Sequence, residues 1–537
     1  ANLALIAALA MAGLAQWWMA RTFGLGRVAR LWSADLAVAG GHLFGRMHTG
    51  QFGMVLSLAA CSLTLAAALQ LAVTGRRRSA VGLALTLGLA LVAGQGYAQL
   101  SLLSWSPAFL VLILDRDLRL RPAWREFALA VGLAGLLAGV FLVPALRFLP
   151  SFDKPGDADF GAAQLLEYLP LNLVIRDWSF LLTETLDKLP FPELYTLYIG
   201  WLPVLLAPLV LRYARREHIP ALAWLGLGMM MSFVIASGDL IRWLTGFFPV
   251  LAGFRHAPLM AGLAVPALLG LAAYGLDGLL RQDWPRLNLI GRPNGVVLIG
   301  ISLAWVLAPP LAGSLWSALE FSGQFLATDN LRAIYDLLGQ VRTRGVEWVA
   351  PPFGDHFWIE PGLYYGLKLS PVVYPALWLG RGQPEPQLLL SRDTQATNLD
   401  QVGLLGDMPV YRLRDSAYAY VVSGPRTFPC LAAGRDGDLD ITCHTNEPGQ
   451  LFVQENAWEG WSVTVDGRPT GLQPAAWLSV SAPAGEHRYS FRYRPWDVWA
   501  GLALTLTGLG MCGWFWRRAE VQREPRSPSQ GPQTSGD

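Results

Sequence analysis

Predominantly apolar runs at 2–20, 31–47, 52–74, 79–98, 101–114, 125–147, 196–212, 219–236, 257–279, 294–312 and 497–516 dominate the chain. Such runs leave few folding choices. In hydrocarbon every backbone N–H and C=O must be paired inside the protein, and in a single short segment only a helix does that. The apolar share of the 537 residues is 53% and the charged share 15%, so the chain reads as a polytopic α-helical membrane protein. The second and fifth runs fall short of the roughly 20 residues of a full span, as tilted, broken or re-entrant segments do.

Basic residues set the orientation. Arg21/Arg27/Arg30, Arg76–Arg78, Arg116/Arg119/Arg121/Arg125, Arg212/Arg215/Arg216, Arg281/Arg286/Arg292 and Arg517–Arg518 follow alternate runs. Cytoplasmic placement of every group is consistent with eleven spans and no parity error. Residues 1–147 are then an N-terminal bundle and 148–195 an outer loop, followed by a second bundle at 196–312. Residues 313–496 form a large extracytoplasmic domain, 497–516 a terminal span, and 517–537 a disordered cytoplasmic tail rich in Pro, Ser and Gly. Residue 1 falls outside, so an earlier span and outer loop are expected upstream of Ala1. The basic residues are short flanks, not a stripe with interleaved aromatics, which argues against nucleic-acid binding.

In the outer loop, Gln164 to Leu169 and Trp178 to Leu189 have the pattern of short amphipathic helices lying along the bilayer surface. The large domain opens with a helical pattern over Asn330 to Val341, then strand-like runs at 346–349, 409–413 and 418–422. Period-2 alternation marks Trp461–Val465 and Tyr489–Tyr493 as further strands, and Asp466–Gly467 and Ala484–Glu486 supply turns. A mixed α/β part followed by an antiparallel β-sandwich-like end is predicted. Cys61 and Cys512 read as buried small residues. Cys430 and Cys443 flank a hairpin-like Gly434–Asp438; an oxidising compartment would allow them to pair, and spacing alone leaves the pairing open.

Several stretches carry a resemblance. Trp461-Ser-Val-Thr-Val-Asp-Gly467, Pro483-Ala-Gly-Glu-His487 and Phe491-Arg-Tyr-Arg-Pro495 before a terminal apolar helix resemble the end of YfhO-type bacterial membrane proteins. Ala93-Gly-Gln-Gly-Tyr-Ala-Gln99, Leu197-Tyr-Ile-Gly200, Gly253-Phe-Arg-His-Ala-Pro258 and Tyr274-Gly-Leu-Asp277 are similar to membrane segments of that family, in order. The chain departs at Tyr418-Ala-Tyr420, where members commonly carry a Pro-Arg pair. The family is similar in architecture to GT-C glycosyltransferases. That resemblance implies an inverting transfer of a sugar from a polyprenyl-phosphate carrier to a cell-envelope glycan, polymer or lipid, outside a bacterial inner membrane. It also places the main catalytic carboxylate in the loop after the first helix, expected upstream of Ala1.

Sugar transfer of this kind needs a carboxylate to deprotonate the acceptor and cations to hold the departing phosphate. Arg255, followed by His256, stands at the start of a span, where a guanidinium can grip a phosphate bidentately or simply snorkel. His42, Arg46, His48 and Gln51 cluster at the end of the second run; His42 and Arg46, four apart, share a helix face. They serve a substrate or merely rim a hairpin, and two His without a carboxylate in sequence do not define a metal site. Gln95, Tyr97 and Gln99 suit either sugar hydroxyls or helix–helix hydrogen bonds. Asp153, Asp157 and Asp159 can bind a divalent cation, stand in for the base, or form a solvated acidic loop. Asp239 and Arg242 read as an ion pair, and Asp35 as an acid near the inner face. Trp458, Trp461, Trp477 and Trp496 suit sugar stacking, core packing or interfacial anchoring.

Two functions stay open: the glycosyltransferase, and a non-catalytic membrane protein that binds or moves lipid-linked glycans. Both require the same sidedness. Epitope tags placed at Gly467 and after Asp537 should react with impermeant antibody from opposite faces of the membrane; reaction from one face overturns the topology.

Overall fold

Breaks between helices, more than the helices themselves, shape the apolar part of the chain. A computed structural model describes residues 2–48, 51–94, 96–114, 123–149, 165–174, 197–254, 256–281, 329–351, 362, 364–369, 385–391, 398–414, 416–435 and 437–521. The chain divides into two units: Ala1–Val143, Gly156–Leu326 and Ala500–Asp537 form the first, Pro144–Pro155 and Ala327–Trp499 the second. The predicted run 294–312, the acidic loop 153–159 and the outer-loop helix at 178–189 lie outside the described residues.

The helices are α1 (Asn2–Thr22), α2 (Arg27–Ala39), α3 (Gly41–His48), α4 (Phe52–Thr74), α5 (Arg77–Val92), α6 (Gly96–Ser104), α7 (Ser106–Ile113), α8 (Trp124–Leu137), α9 (Gly139–Phe148), α10 (Trp201–Leu206), α11 (Val210–Tyr213), α12 (Ile219–Ala236), α13 (Asp239–Thr245), α14 (Ala264–Leu280), α15 (Asp329–Gln340) and α16 (Trp496–Val521). Among the described residues five helical stretches are long and apolar enough to cross a bilayer: Leu3–Thr22, Phe52–Thr74, Arg216–Ala236, Ala257–Leu280 and Trp496–Arg518. The bent pairs α6–α7 (45°) and α8–α9 (71°) raise the number to seven.

Several predicted runs are interrupted, among them the two short ones for which a break is one expectation: 101–114 parts between α6 and α7. The run 31–47 is two helices, α2 and α3, parted at the extended Gly40. Gly41, lacking a side chain, lets Tyr198 come close: a Cβ there would lie 3.2 Å from the Tyr198 ring. The run 79–98 ends as a helix at Val92, because Gly94 adopts the left-handed region (φ 74°) that glycine tolerates. Its remainder begins α6, so Tyr97 and Gln99 open a new helix instead of closing the previous one. The run 125–147 breaks at Ala138, where Thr505 of α16 answers the freed backbone: its hydroxyl donates to Leu137 O (3.1 Å) and accepts from Val140 N (3.0 Å). Gly139 and Gly501 make this approach possible, since a Cβ on either would strike backbone of the other helix. Asp239 and Arg242 form the expected pair at 2.9 Å.

The second unit holds two sheets. Strands β1 (Trp348–Ala350), β2 (Lys368–Leu369), β3 (Leu388–Leu390), β4 (Leu399–Leu405) and β5 (Met408–Leu413) pair in the order β2-β1-β3-β5-β4, with β1 parallel to β2 and β3. Leu338 and Val341, in and just after α15, join Val349, Leu388, Leu390 and Val410 in their core. Strands β6 (Ala419–Ser423), β7 (Arg426–Arg435), β8 (Asp438–Thr445), β9 (Gly449–Asn456), β10 (Trp461–Val465), β11 (Arg468–Thr470), β12 (Trp477–Ala482) and β13 (Gly485–Tyr493) form an antiparallel sheet ordered β11-β10-β13-β8-β7-β6-β9-β12. Buried residues of both its halves, such as Ile441 and Phe491 with Val421 and Leu451, fall in one core. Long β7 serves both halves by pairing with β6 and β8.

The motif residues of this sheet hold its corners. Asp466 takes a positive φ of 50° before Gly467 at 79°, the primed turn that matches hairpin twist. Its carboxylate accepts Arg488 N (2.9 Å) and pairs with His487 Nδ1 (2.7 Å), which raises the His487 pKa. Tyr418, at the departure from the family pattern, donates to Glu455 Oε1 (2.6 Å), and Lys368 pairs with the same carboxylate. Burial and that negative charge hold the Tyr418 hydroxyl well above the usual phenol range. Arg147 bridges buried Asp497 (2.5 Å) and Glu459 (2.6 Å). Of the four Trp candidates, Trp458 stands edge-on to Phe148, Trp461 packs against Tyr493, Trp477 is half-buried and Trp496 is exposed beside Arg147.

Cys430 and Cys443 are joined across β7 and β8, one step beyond the Leu431–Thr442 pair, with Cα atoms 4.6 Å apart. Replacing both with Ser should lower the stability of the second unit by about 3 kcal/mol, the entropy of a loop this short. Pulse proteolysis in urea reads this as a fall in the midpoint at which residues after 327 become cleavable. An unchanged midpoint under oxidising conditions refutes the bond.

Candidate functional site

The site begins with a short helix in an apolar setting. On α3, His42 and Arg46 lie one turn apart and are 5% and 0% exposed. The Arg46 guanidinium donates from Nη1 to Gln51 Oε1 (3.1 Å) and from Nη2 to Leu259 O (3.5 Å). Leu259 belongs to a buried 3₁₀ stretch, Ala257–Leu263, whose shape leaves carbonyls outside regular helix pairing. Gly262 lets that stretch approach α4: a Cβ there would lie 2.7 Å from Leu58 and 3.4 Å from Arg46 Nη2. His42 Nδ1 is buried and has no hydrogen-bond partner among the described residues.

A second strand of the network arrives from α6. The backbone N–H of His256 donates to the Tyr97 hydroxyl (3.4 Å), and Phe254 meets the Tyr97 ring edge-on at 5.3 Å. The N–H of Leu259 donates to His256 O (3.1 Å), so Gln51, Arg46, Leu259, His256 and Tyr97 form one connected path. The chain around Tyr198 packs on Gly41, and Leu173 O accepts both Ile199 N and Gly200 N at 2.9 Å. The stretches around residues 42–51, 97, 198–200 and 254–259, separated widely in sequence, meet at one end of the first unit.

Of the residues singled out in sequence, this joins His42, Arg46, Gln51, Tyr97 and His256. His48 closes α3, with its side chain outside the described part. Arg255, Gln95, Asp153, Asp157 and Asp159 also lie outside the described residues. Gln99 is engaged elsewhere: its amide donates to Ala90 O (3.1 Å) and Leu91 O (2.6 Å), closing the end of α5. Residue spacing gave no sign of Leu259 O as Arg46's acceptor, because a carbonyl partner leaves no side-chain signature. Pro258 and Gly262 were the available hints of irregular backbone.

Among α4–α8 lies an apolar cavity of about 520 Å³, lined by Leu65, Leu83, Trp105, Phe109, Phe127 and Val131 and by Gln99, with no described residue of the network in its wall. A buried guanidinium, two imidazoles, a phenol and an amide in one network suit an anionic head, and the separate apolar cavity suits hydrocarbon. Among the described residues the network has no carboxylate, and no group of three or more His, Cys, Asp or Glu is placed to hold a metal ion.

Fold and site together define a multi-pass helical membrane protein with a C-terminal β-rich unit. No protein-family model matches the chain, and no curated protein does. Among solved structures it is similar to a mutant of the arabinofuranosyltransferase AftD from Mycobacteria, solved by cryo-electron microscopy. That likeness has a TM-score of 0.44 and 12% sequence identity. It covers 91% of this chain and 53% of the other, so the chain spans about half the length of that protein.

Packing around Tyr97 gives a direct test. A Cβ on Gly96 would sit 2.6 Å from the Phe254 ring, whereas one on Gly226 of α12 meets nothing within 4 Å. Gly96→Ala should cost about 1–3 kcal/mol by overpacking, and Gly226→Ala should be neutral or slightly stabilising. Thermal unfolding in detergent compares them; equal midpoints would contradict the contact.

Proposed function

We propose that the protein is a GT-C-type glycosyltransferase that takes a sugar from a polyprenyl-phosphate carrier and passes it to a glycan, polymer or lipid outside the bacterial inner membrane. The observation that carries this reading is the meeting of a fully buried Arg46, buried His42, Tyr97 and His256 at one end of an apolar bundle that also holds a cavity fit for a hydrocarbon chain. A charged side chain buried among apolar helices is costly, so it marks a functional position unless its whole role is structural. The resemblance of residues 93–99, 197–200 and 253–258 to one membrane family adds support, since these stretches are the ones that converge. A disulfide in the β-rich unit supports an oxidising, extracytoplasmic setting for that unit and a cytoplasmic C-terminus.

In this reading Arg255 holds the carrier phosphate, and the buried charge of Arg46 adds to the positive field. Tyr97, His256, His48 and Gln95 face the sugar, and Gln99 fixes the helix end that presents them. The acceptor hydroxyl attacks the anomeric carbon as the bond from that carbon to the phosphate oxygen breaks. One displacement inverts the centre, the phosphate leaves with the electron pair, and a carboxylate takes the acceptor's proton. Asp153, Asp157 and Asp159 are candidates for that carboxylate within this chain, or for holding a divalent cation.

Arg255→Ala should lower transfer from a radiolabelled polyprenyl-phosphate sugar by about 10²–10³-fold, with Arg255→Lys retaining part of it. The purified variants should keep the wild-type elution volume and melting midpoint. Full activity in Arg255→Ala removes the phosphate contact, and no transfer by the wild-type protein from any such carrier removes the enzyme.

A further inference from the structure

Helix α14 runs from the Arg46 network to a second polar hollow at its far end. There Phe23, Arg212, Arg215, Tyr274, Asp277 and Arg281 help line a cavity of about 370 Å³. One water occupies only about 30 Å³ in the liquid, so the hollow has room for a substantial group. Three of the basic flanks that orient the chain supply or adjoin its wall.

Its charges do not balance. Among the described lining residues Asp277 is the sole carboxylate, and it is already engaged: Oδ1 accepts Gly26 N (2.7 Å) and Oδ2 pairs with Arg281 Nε (2.8 Å). Arg281 also donates from Nη2 to Gly24 O (2.9 Å), which leaves it committed to the frame and answering a helix C-terminus. Arg212 and Arg215 form no ion pair among the described residues, so a net charge of two cations faces the hollow. The opposite wall is fixed. The Tyr274 hydroxyl accepts Arg215 N (3.1 Å) and meets His218 Nδ1 (3.0 Å), while Phe23 stands edge-on to both rings.

We infer that this cavity binds a phosphate group through Arg212 and Arg215. Planar guanidinium forks match phosphate oxygens, and two of them without an ion pair among the described residues, beside a rigid aromatic wall, make the hollow selective for an anion over water. The group is carried by an anionic phospholipid or by a soluble phosphate ester; their head chemistry is shared. Basic pockets between helices at the cytoplasmic face suit lipid head groups, and the same arginines place this end in the cytoplasm. The inference does not depend on the proposed sugar transfer.

The whole purified chain in phosphatidylcholine nanodiscs provides the test. One arm adds phosphatidylglycerol to the bilayer; the other titrates inorganic pyrophosphate. The melting midpoint should rise in at least one arm. Arg212→Gln/Arg215→Gln should weaken the response at least about tenfold, the loss expected for two charge-assisted bonds. Arg212→Lys/Arg215→Lys keeps the charge without the fork and should respond weakly; it stands in if the Gln variant does not fold. Arg76→Gln, on another flank, should respond as wild type. A response to phosphatidylglycerol alone assigns the lipid, and one to pyrophosphate alone assigns a soluble ester. No response in either arm overturns the site. So does a full response in both double variants, or an equal loss in Arg76→Gln.

Discussion

Inside an apolar bundle a peptide group released from its helix has no water to turn to, and stranding it costs about 1–3 kcal/mol. Much of the polar chemistry in the first unit answers that constraint. Thr505 serves both sides of the break at Ala138, Gln99 takes two carbonyls at the end of α5, and Ser57 donates to Ala93 O just beyond it. Gln16 reaches Pro266 O, a carbonyl near the start of α14. Each side chain is spent on backbone. Polar residues in these runs therefore divide into those consumed by a helix break and those with capacity left over.

The division bears on function because broken helices and binding sites coincide. Irregular backbone at membrane depth is tolerated where it lines a cavity or lies within protein, and the buried stretch Ala257–Leu263 is of that kind. Arg46 serves this break through Leu259 O and also donates to Gln51 Oε1, so its several donors tie the irregular stretch to the end of α3. An amide or hydroxyl suffices at every other break named above.

How much of this was legible depended on whether the signal was carried by side chains. Phe52–Thr74 was readable to the residue, since 23 uncharged residues between polar ends admit one helix. Trp461–Val465 was equally plain, because alternation records which face is buried. The shortness of run 31–47 allowed for a break there, but the positions of the breaks at Gly40, Gly94 and Ala138 were not legible. Hydropathy sums side-chain character and is blind to where the backbone turns, and Ala138 carries no turn residue at all. The site followed the same rule. His42 and Arg46 showed themselves as an i, i+4 pair, while their link to Tyr97 and His256 runs through the main chain of Leu259 and His256.

Helix α14 decides how the two polar ends relate. Its described residues are almost wholly buried, and Gly270, Gly275 and Gly278 let Met19, Leu206 and Tyr213 press against its backbone. A helix held on all sides cannot shift by a turn without expelling those neighbours, so it sets a fixed length between its ends. Its 17 residues rise about 25 Å, and the 7 residues of the 3₁₀ stretch before it add about 14 Å. From Leu259, which Arg46 reaches, to Tyr274 and Asp277 in the wall of the hollow, the rise along this rod is about 25 to 29 Å. The Arg46 network and the Arg212–Arg215 hollow are held that far apart by a helix that cannot slide, and a single small ligand cannot touch both.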